Sequence, residues 1–249
     1  MPVHLSELVR YCDKLLQSSE ISDYCPNGLQ VESGENVGVI VSAVTASEMT
    51  IDRAIELGAD LLLVHHGYFW KGESQALVGM KGRRVAKLIR NNINLLAYHL
   101  PLDLHQSLGN NAQLARTFGW EGFPASKDGL IWMTQFDSPL NADEINAHIS
   151  KCLGREALWI NAGVAKVSRV AWCTGAAQSM IETAAELGAE MFISGEVSEP
   201  TVHSARELGV HFVAAGHHAT ERGGVKALGE HLAETFGLQH QFVDITNPV

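Results

Sequence analysis

No apolar run in this 249-residue chain approaches the ~20 residues needed to cross a bilayer. Cysteine is scarce and dispersed: Cys12, Cys25, Cys152 and Cys173 include no C-x-x-C pair. That spacing argues against a disulfide frame or a zinc knuckle, and for thiols kept in a reducing compartment. Basic residues are in deficit, with 18 Lys and Arg against 28 Asp and Glu and a formal net charge of −10. Such a chain repels phosphate backbones on average, so strong nucleic-acid binding is not expected, although a small phosphorylated ligand stays open because local charge can oppose the average. The glycine-rich phosphate loops G-x-x-x-x-G-K-[ST] and G-x-G-x-x-G are missing, and so is the G-x-S-x-G nucleophile elbow. Where a signal peptide would carry its apolar core stand Glu7, Arg10 and Asp13, so the expected location is cytoplasmic, without membrane association.

What is present is an ordinary globular composition, 46% hydrophobic and 18% charged. A chain this long buries roughly three quarters of its unfolded surface and needs no covalent staples. Leu5, Leu8, Val9, Cys12, Leu15 and Leu16 share one helical face. A Pro-Asn-Gly turn follows at Pro26–Gly28. Strands are then expected at 37–44, 60–64 and 93–98, alternating with helices at 47–57, 79–91 and 108–118. A less regular middle carries a strand at 131–136, a helix at 141–153 and a strand at 157–160. Further strands are expected at 167–174, 190–194, 210–215 and 241–245, with helices at 177–187, 199–208 and 220–236. Alternation of this kind defines an α/β fold with βαβ units and mostly parallel sheets flanked by helices.

The second half repeats the first. Ile51–Leu63 (IDRAIELGADLLL) matches Ile181–Ile193 (IETAAELGAEMFI) at a constant shift of 130 residues, from Ile51 to Ile181. Each segment carries Glu-Leu-Gly-Ala, then an acid, then an apolar strand, with glycine where a left-handed residue ends a helix. The chain therefore reads as one compact unit, 1–249, built from two duplicated halves, about 1–125 and 126–249, in a pseudo-twofold relation.

In parallel sheets, ligand-binding side chains gather beyond the carboxyl ends of the strands. His65-His66-Gly67 follows the strand Asp60–Val64, and Gly195-Glu196 occupies the corresponding place in the second half. His99, with Asp103 four residues on, follows 93–98, and Gly216-His217-His218, with Glu221 four residues after His217, follows 210–215. The two His-x-x-x-carboxylate segments match at a shift of 118, from His99 to His217. Imidazole and carboxylate suit zinc, iron(II), manganese or nickel, not ions that require thiolates. Five or six such donors exceed the needs of one tetrahedral ion, so two ions about 3.5–4 Å apart, with water or hydroxide between them, are expected. His218 is weaker than His217, because adjacent residues point apart, and His203 stays open between surface and cleft. His4, His105, His148, His211, His231 and His240 read as packing residues. Lys81-Gly82-Arg83-Arg84 reads as a solvated helix start.

Four motifs in order, Asn27-Gly28-Leu29-Gln30-Val31, His65-His66-Gly67, His99-x-Pro101-Leu102-Asp103 and Gly216-His217-His218-x-Thr220-Glu221, resemble the YbgI family. That family is related to the eukaryotic NGG-interacting factor three proteins, and some members carry the label "GTP cyclohydrolase 1 type 2 homolog". The resemblance runs nearly end to end and matches the short bacterial form. It implies a toroidal homohexamer and a dinuclear centre of two divalent metal ions per chain. Carried over motif by motif, His65, His66, Asp103, His217 and Glu221 would be the ligands, with Glu221 bridging and His99 beside the centre as a weak ligand or a proton-transfer group. The function expected is hydrolysis of a small molecule, a nucleotide among the candidates, with opening of a guanine imidazole ring by metal-bound hydroxide and catalytic roles for His99 and Glu221. The alternative is a non-enzymatic metal-binding scaffold, metal chaperone or regulatory interaction protein.

Overall fold

A computed structural model describes residues 1–249. The chain divides into two compact units. The first comprises Met1–Leu108 and Gly224–Thr246, the second Gly109–Gly223 and Asn247–Val249. No helix is long and apolar enough to cross a membrane.

The first unit contains β1 (Val3–His4), α1 (Leu5–Leu16), β2 (Gly28–Val31), β3 (Asn36–Val37), β4 (Val39–Thr45), α2 (Glu48–Glu56), β5 (Leu61–His66), α3 (Gly79–Arg90), β6 (Asn94–Ala97) and α4 (Leu100–Asp103). Its five-stranded sheet has the order β13-β4-β5-β6-β2, where β13 is Gln239–Phe242 near the end of the chain. All its pairings are parallel except that of β2 with β6. Helix α1 forms because its apolar residues recur every three or four positions. Leu5, Leu8, Cys12 and Leu16 are buried and pack on Ile40, Leu61 and Leu63 of the sheet. Each leucine so buried contributes roughly 1.5–3 kcal/mol of hydrophobic stabilisation.

The second unit contains α5 (Asn110–Phe118), β7 (Phe123–Pro124), β8 (Trp132–Asn141), α6 (Ala142–Leu153), β9 (Leu158–Ile160), β10 (Lys166–Cys173), α7 (Ile181–Glu186), β11 (Met191–Ser194), α8 (Glu199–Leu208) and β12 (His211–Ala214). Helix α9 (His217–Phe236) begins in this unit and ends in the first. The six-stranded order is β7-β8-β10-β11-β12-β9. Only β10-β11-β12 are parallel; the flanking strands pair antiparallel. The expectation of a mostly parallel sheet therefore holds for the first unit and only for the centre of the second, where helices supply the crossovers that parallel strands require.

The duplication is visible inside each unit. Ile40 pairs with Leu61 and Val170 with Met191, the same register 130 residues on. Gly58 and Gly188 both have positive φ, and Ala59 N–H and Ala189 N–H close each helix onto the carbonyls of Ala54 and Ala184. The acid that follows has a structural task in both copies. The Asp60 carboxylate accepts from the amides of Gly38 and Val39, and that of Glu190 from Ser168 and Arg169. An antiparallel edge strand repeats as well, β2 beside β6 and β9 beside β12.

The sheet register corrects one detail of the repeat. Leu61 pairs with Asn94 and Met191 with His211, so the third strands correspond at a shift of 117. His99 thus matches Gly216, not His217. The backbone agrees: Asp103 N–H donates to His99 O and Thr220 N–H to Gly216 O. The two His-x-x-x-carboxylate segments are one residue out of step, and they present their side chains differently.

The unit boundaries fall at 108/109 and 223/224, whereas the repeat suggests 125/126. Packing explains the difference. Ala112, Leu114, Ala115 and Phe118 of α5 join the core around Trp132 and Trp172, and Trp172 Nε1 donates to Asn111 O. At the other end, Val225, Leu228 and Leu232 of α9 pack with Leu5 and Leu8, and β13 pairs with β4 through Gln239 and Val39.

Candidate metal centre

Four sequence-selected residues meet in the first unit. His65 ends the buried strand β5 and is fully enclosed. Its Nδ1–H donates to the carbonyl of Tyr98 at 2.9 Å, and a carbonyl can only accept. The lone pair therefore sits on Nε2, the atom a metal would take, and Nε2 lies 3.6 Å from Asp103 Oδ2. Asp103, 6% exposed, closes the short helix α4 that Pro101 helps to start. His66 Nδ1 lies 3.2 Å from Thr45 Oγ1 on the neighbouring strand. The rings of His65 and His66 have centroids 4.6 Å apart, and that of His99 stands 5.0 Å from His65 and 5.7 Å from His66. One nitrogen from each of the three lies within 4.8 Å of the others. Trp70 stands edge-on to His99, with centroids 5.0 Å apart.

The orientation of His99 comes from Asp23, which sequence reasoning missed, and from Asn27, to which it gave no role. Asp23 Oδ1 accepts from His99 Nδ1 at 2.8 Å, and Oδ2 accepts from Leu100 N–H at 2.9 Å and Asn27 Nδ2 at 2.8 Å. Asn27 Oδ1 in turn accepts from His99 N–H at 2.7 Å. Burial alone would raise the Asp23 carboxyl, but the bonds from His99 and Asn27, the facing imidazole and the Tyr24 amide together hold it down at about 2. Burial, and then the Asp23 charge, push the Cys25 thiol up to about 12. Gln30 serves the same region. Its amide bonds both the N–H and the carbonyl of Tyr68, just past His66-Gly67. The sequence marks a turn at Pro26–Gly28, but the bracing role of Asn27 and Gln30 depends on partners far along the chain.

His217 and Glu221 meet in the second unit, one turn apart on α9. His217 Nε2 lies 3.1 Å from Glu221 Oε2, and Nδ1 lies 2.7 Å from Glu196 Oε1. Burial disfavours charge on this ring, yet the bonds and charges of Glu221 and Glu196 prevail and raise His217 to about 9. Glu221 is 3% exposed. Gly195 stands where the first repeat has His65. A Cβ there would lie 2.6 Å from His217 Cα and 2.7 Å from Gly175 O, so the start of α9 leaves no room for a side chain.

The remaining histidines have other neighbours. His203 pairs with Glu199 across one turn of α8 and is largely exposed, which removes it from the candidates. His4 caps α1, and His105 accepts from the amides of Ser107 and Leu108. His148 donates to Phe118 O. His211 is held by Ala162 N–H and Val164 O, His231 by Tyr11 and His240 by Ser42. His218 N–H reaches Val249 O. Lys81 of the basic cluster is taken up by Glu73 at 3.4 Å and lies over the Phe69 ring.

Imidazoles and carboxylates gathered beyond the ends of parallel strands place this chain among α/β proteins with candidate metal-binding groups. The chain matches Duf34/NIF3 (NGG1p interacting factor 3) over residues 3–248, and it belongs to that family. A protein of Pseudomonas aeruginosa named GTP cyclohydrolase 1 type 2 homolog is 50% identical over 252 aligned residues covering all of both chains. One of Escherichia coli K12 with the same name is 52% identical, over 98% of each chain. Among solved structures, one titled "Structural genomics, protein ybgI, unknown function" superposes with a TM-score of 0.96 at 51% identity, covering 99% of this chain and 100% of the other. A protein from Thermus thermophilus superposes with a TM-score of 0.92 at 33% identity, again covering 99% of this chain and 100% of the other.

Proposed function

We propose that the protein is a dinuclear-metal-dependent hydrolase of small molecules, with His65, His66 and Asp103 from the first unit and His217 and Glu221 from the second as the ligands of one centre. The observation that carries this reading is the state of the donor atoms. Hydrogen bonding to the Tyr98 carbonyl puts the His65 lone pair on Nε2, the atom that faces Asp103, and His217 stands between the carboxylates of Glu196 and Glu221 at 2.7 and 3.1 Å. Neither cluster alone offers the five donors that two ions need. When bound, two divalent ions of the zinc, iron, manganese or nickel kind lower the pKa of water toward neutrality and polarise the bond to be hydrolysed. Glu221 would be the carboxylate shared by the two ions. His99, with Nδ1–H fixed by Asp23, offers Nε2 to take and return a proton. Trp70, edge-on to His99, limits water around that ring.

The names of the relatives support a guanine nucleotide as substrate, with hydrolytic ring opening and release of formate. We further propose a cytoplasmic homohexameric ring as the working assembly. Metal-loaded protein incubated with a nucleotide panel is expected to release formate from GTP, and a chelator abolishes the release. A metal-loaded protein inert across the panel contradicts the hydrolytic reading and leaves a metal-holding scaffold.

The proton on His217 makes a second prediction. Nε2 must lose it before it can take an ion, so each pH unit below about 9 costs metal affinity roughly tenfold at this ligand. Affinity measured by competition titration rises from pH 7 to pH 8 and levels off above about 9. In metal-free protein the sign reverses. The folded pKa lies above the ordinary 6.5, so the stabilisation is complete below 6.5 and is lost as pH rises through about 9. A flat affinity profile across pH 7–8 contradicts the assignment of His217.

A further inference from the structure

We infer that Asp23, Cys25 and His99 form a third cation site in the first unit, of mixed carboxylate, thiolate and imidazole character, for one divalent ion of the zinc type. A carboxylate oxygen, the Cys25 sulfur and a ring nitrogen lie within 4.8 Å of one another. Ligand atoms around a tetrahedral ion with bonds of about 2.0–2.3 Å stand roughly 3.3–3.8 Å apart. Closing the triangle therefore needs about 1 Å of side-chain movement, and Asp23 Oδ1 and His99 Nδ1 are already 2.8 Å apart.

The donors are supported from outside, as metal ligands are. The Asp23 side chain is 3% exposed, and Leu100 N–H and Asn27 Nδ2 hold its second oxygen. Asn27 also pins the His99 backbone. Carboxylate, thiolate and neutral imidazole carry two negative charges, so a divalent ion leaves the partly buried cluster neutral, which limits the cost of burying charge. Three protein donors leave a fourth position for water or an incoming ligand. On binding, the thiol proton goes to solvent and the imidazole proton passes from Nδ1 to Nε2, so an ion held here takes from His99 the proton-accepting role proposed for its Nε2.

This site does not rest on the dinuclear centre, whose proposed ligands are nitrogen and oxygen only. The three-donor groups of the chain include no cysteine but Cys25; Cys152 has an imidazole, His148, 3.5 Å from its sulfur.

The test is cobalt(II) loading of the full chain, followed by absorption spectroscopy and metal analysis. Wild type is expected to show a thiolate-to-cobalt charge-transfer band and to hold one ion per chain more than Cys25→Ser. The band disappears in Cys25→Ser and in Cys25→Ala, and persists in Cys152→Ser and in His66→Ala/Glu221→Ala. Circular dichroism confirms that the Cys25 variants are folded. A wild type without the band at saturating cobalt, a band that survives in folded Cys25→Ser, or a band lost in the His66→Ala/Glu221→Ala protein overturns the inference. Failure of the dinuclear reading registers separately, as unchanged metal content in that double variant.

Discussion

A His66→Ala/Glu221→Ala double variant is expected to lose the proposed dinuclear metal while staying folded. One donor is removed from each cluster, so neither unit keeps its set. Loss of an outer partner of a ligand already costs 10–100-fold in affinity, and loss of a ligand costs at least as much. Two lost ligands therefore weaken binding by roughly a hundredfold to ten-thousandfold on the same scale. The fold should tolerate the change. His66 is half-buried with Thr45 as its hydrogen-bonding neighbour, and alanine in place of Glu221 removes a buried carboxylate from a helix that alanine favours. Metal analysis after equilibration against a limiting metal buffer reads the result. Equal metal in variant and wild type shows that the ligands are assigned wrongly.

Asp23→Ala is expected to be the most destabilising single change around the candidate site. The carboxylate accepts from His99, Leu100 N–H, Asn27 and the Tyr24 amide, and its side chain is 3% exposed. Alanine leaves these donors facing a void. Each buried donor left without its acceptor costs about 1–3 kcal/mol, so losing the bonds from His99, Leu100, Asn27 and Tyr24 together comes to roughly 3–5 kcal/mol where some of these donors regain water. At roughly 2–4 °C per kcal/mol for a chain of this size, the midpoint in a thermal melt of chelator-treated protein falls by roughly 6–20 °C. Asp137→Ala, on the exposed half of β8, serves as the control and should stay within about 0.5 kcal/mol of wild type. An Asp23→Ala melt that matches the control contradicts the bracing role.

The parts of this molecule that were legible from sequence are those fixed locally. Glu-Leu-Gly-Ala announces a helix end, a left-handed glycine and a buried strand within a dozen residues, and both copies fold that way. Histidines placed just after apolar strands fall at strand ends for the same reason. What stayed hidden depends on contacts distant in sequence. Asp23 and His99 are 76 residues apart, and nothing near Asp23 marks it as more than a loop acid. Strand β2 has no local signal beyond the turn at Pro26–Gly28 that leads into it, because its antiparallel pairing with β6 is decided 60-odd residues later. The start of α9 at His217 instead of about 220 has a similar origin. Gly216, at φ +100°, lets the chain turn directly from β12 into the helix, which sets His217 and Glu221 on one face. The connection between the second and third strands is shorter in the second repeat, which reduces the shift from 130 to 117, and only the pairing register tells 117 from the 118 that aligns His99 with His217.

The most direct test is an anomalous-scattering map of metal-loaded crystals, measured at the absorption edge of the bound ion. Two peaks about 3.5–4 Å apart, touching His65, His66 and Asp103 on one side and His217 and Glu221 on the other, are the predicted result. Isolated peaks at separate clusters, or none beside these five side chains at full loading, would contradict it.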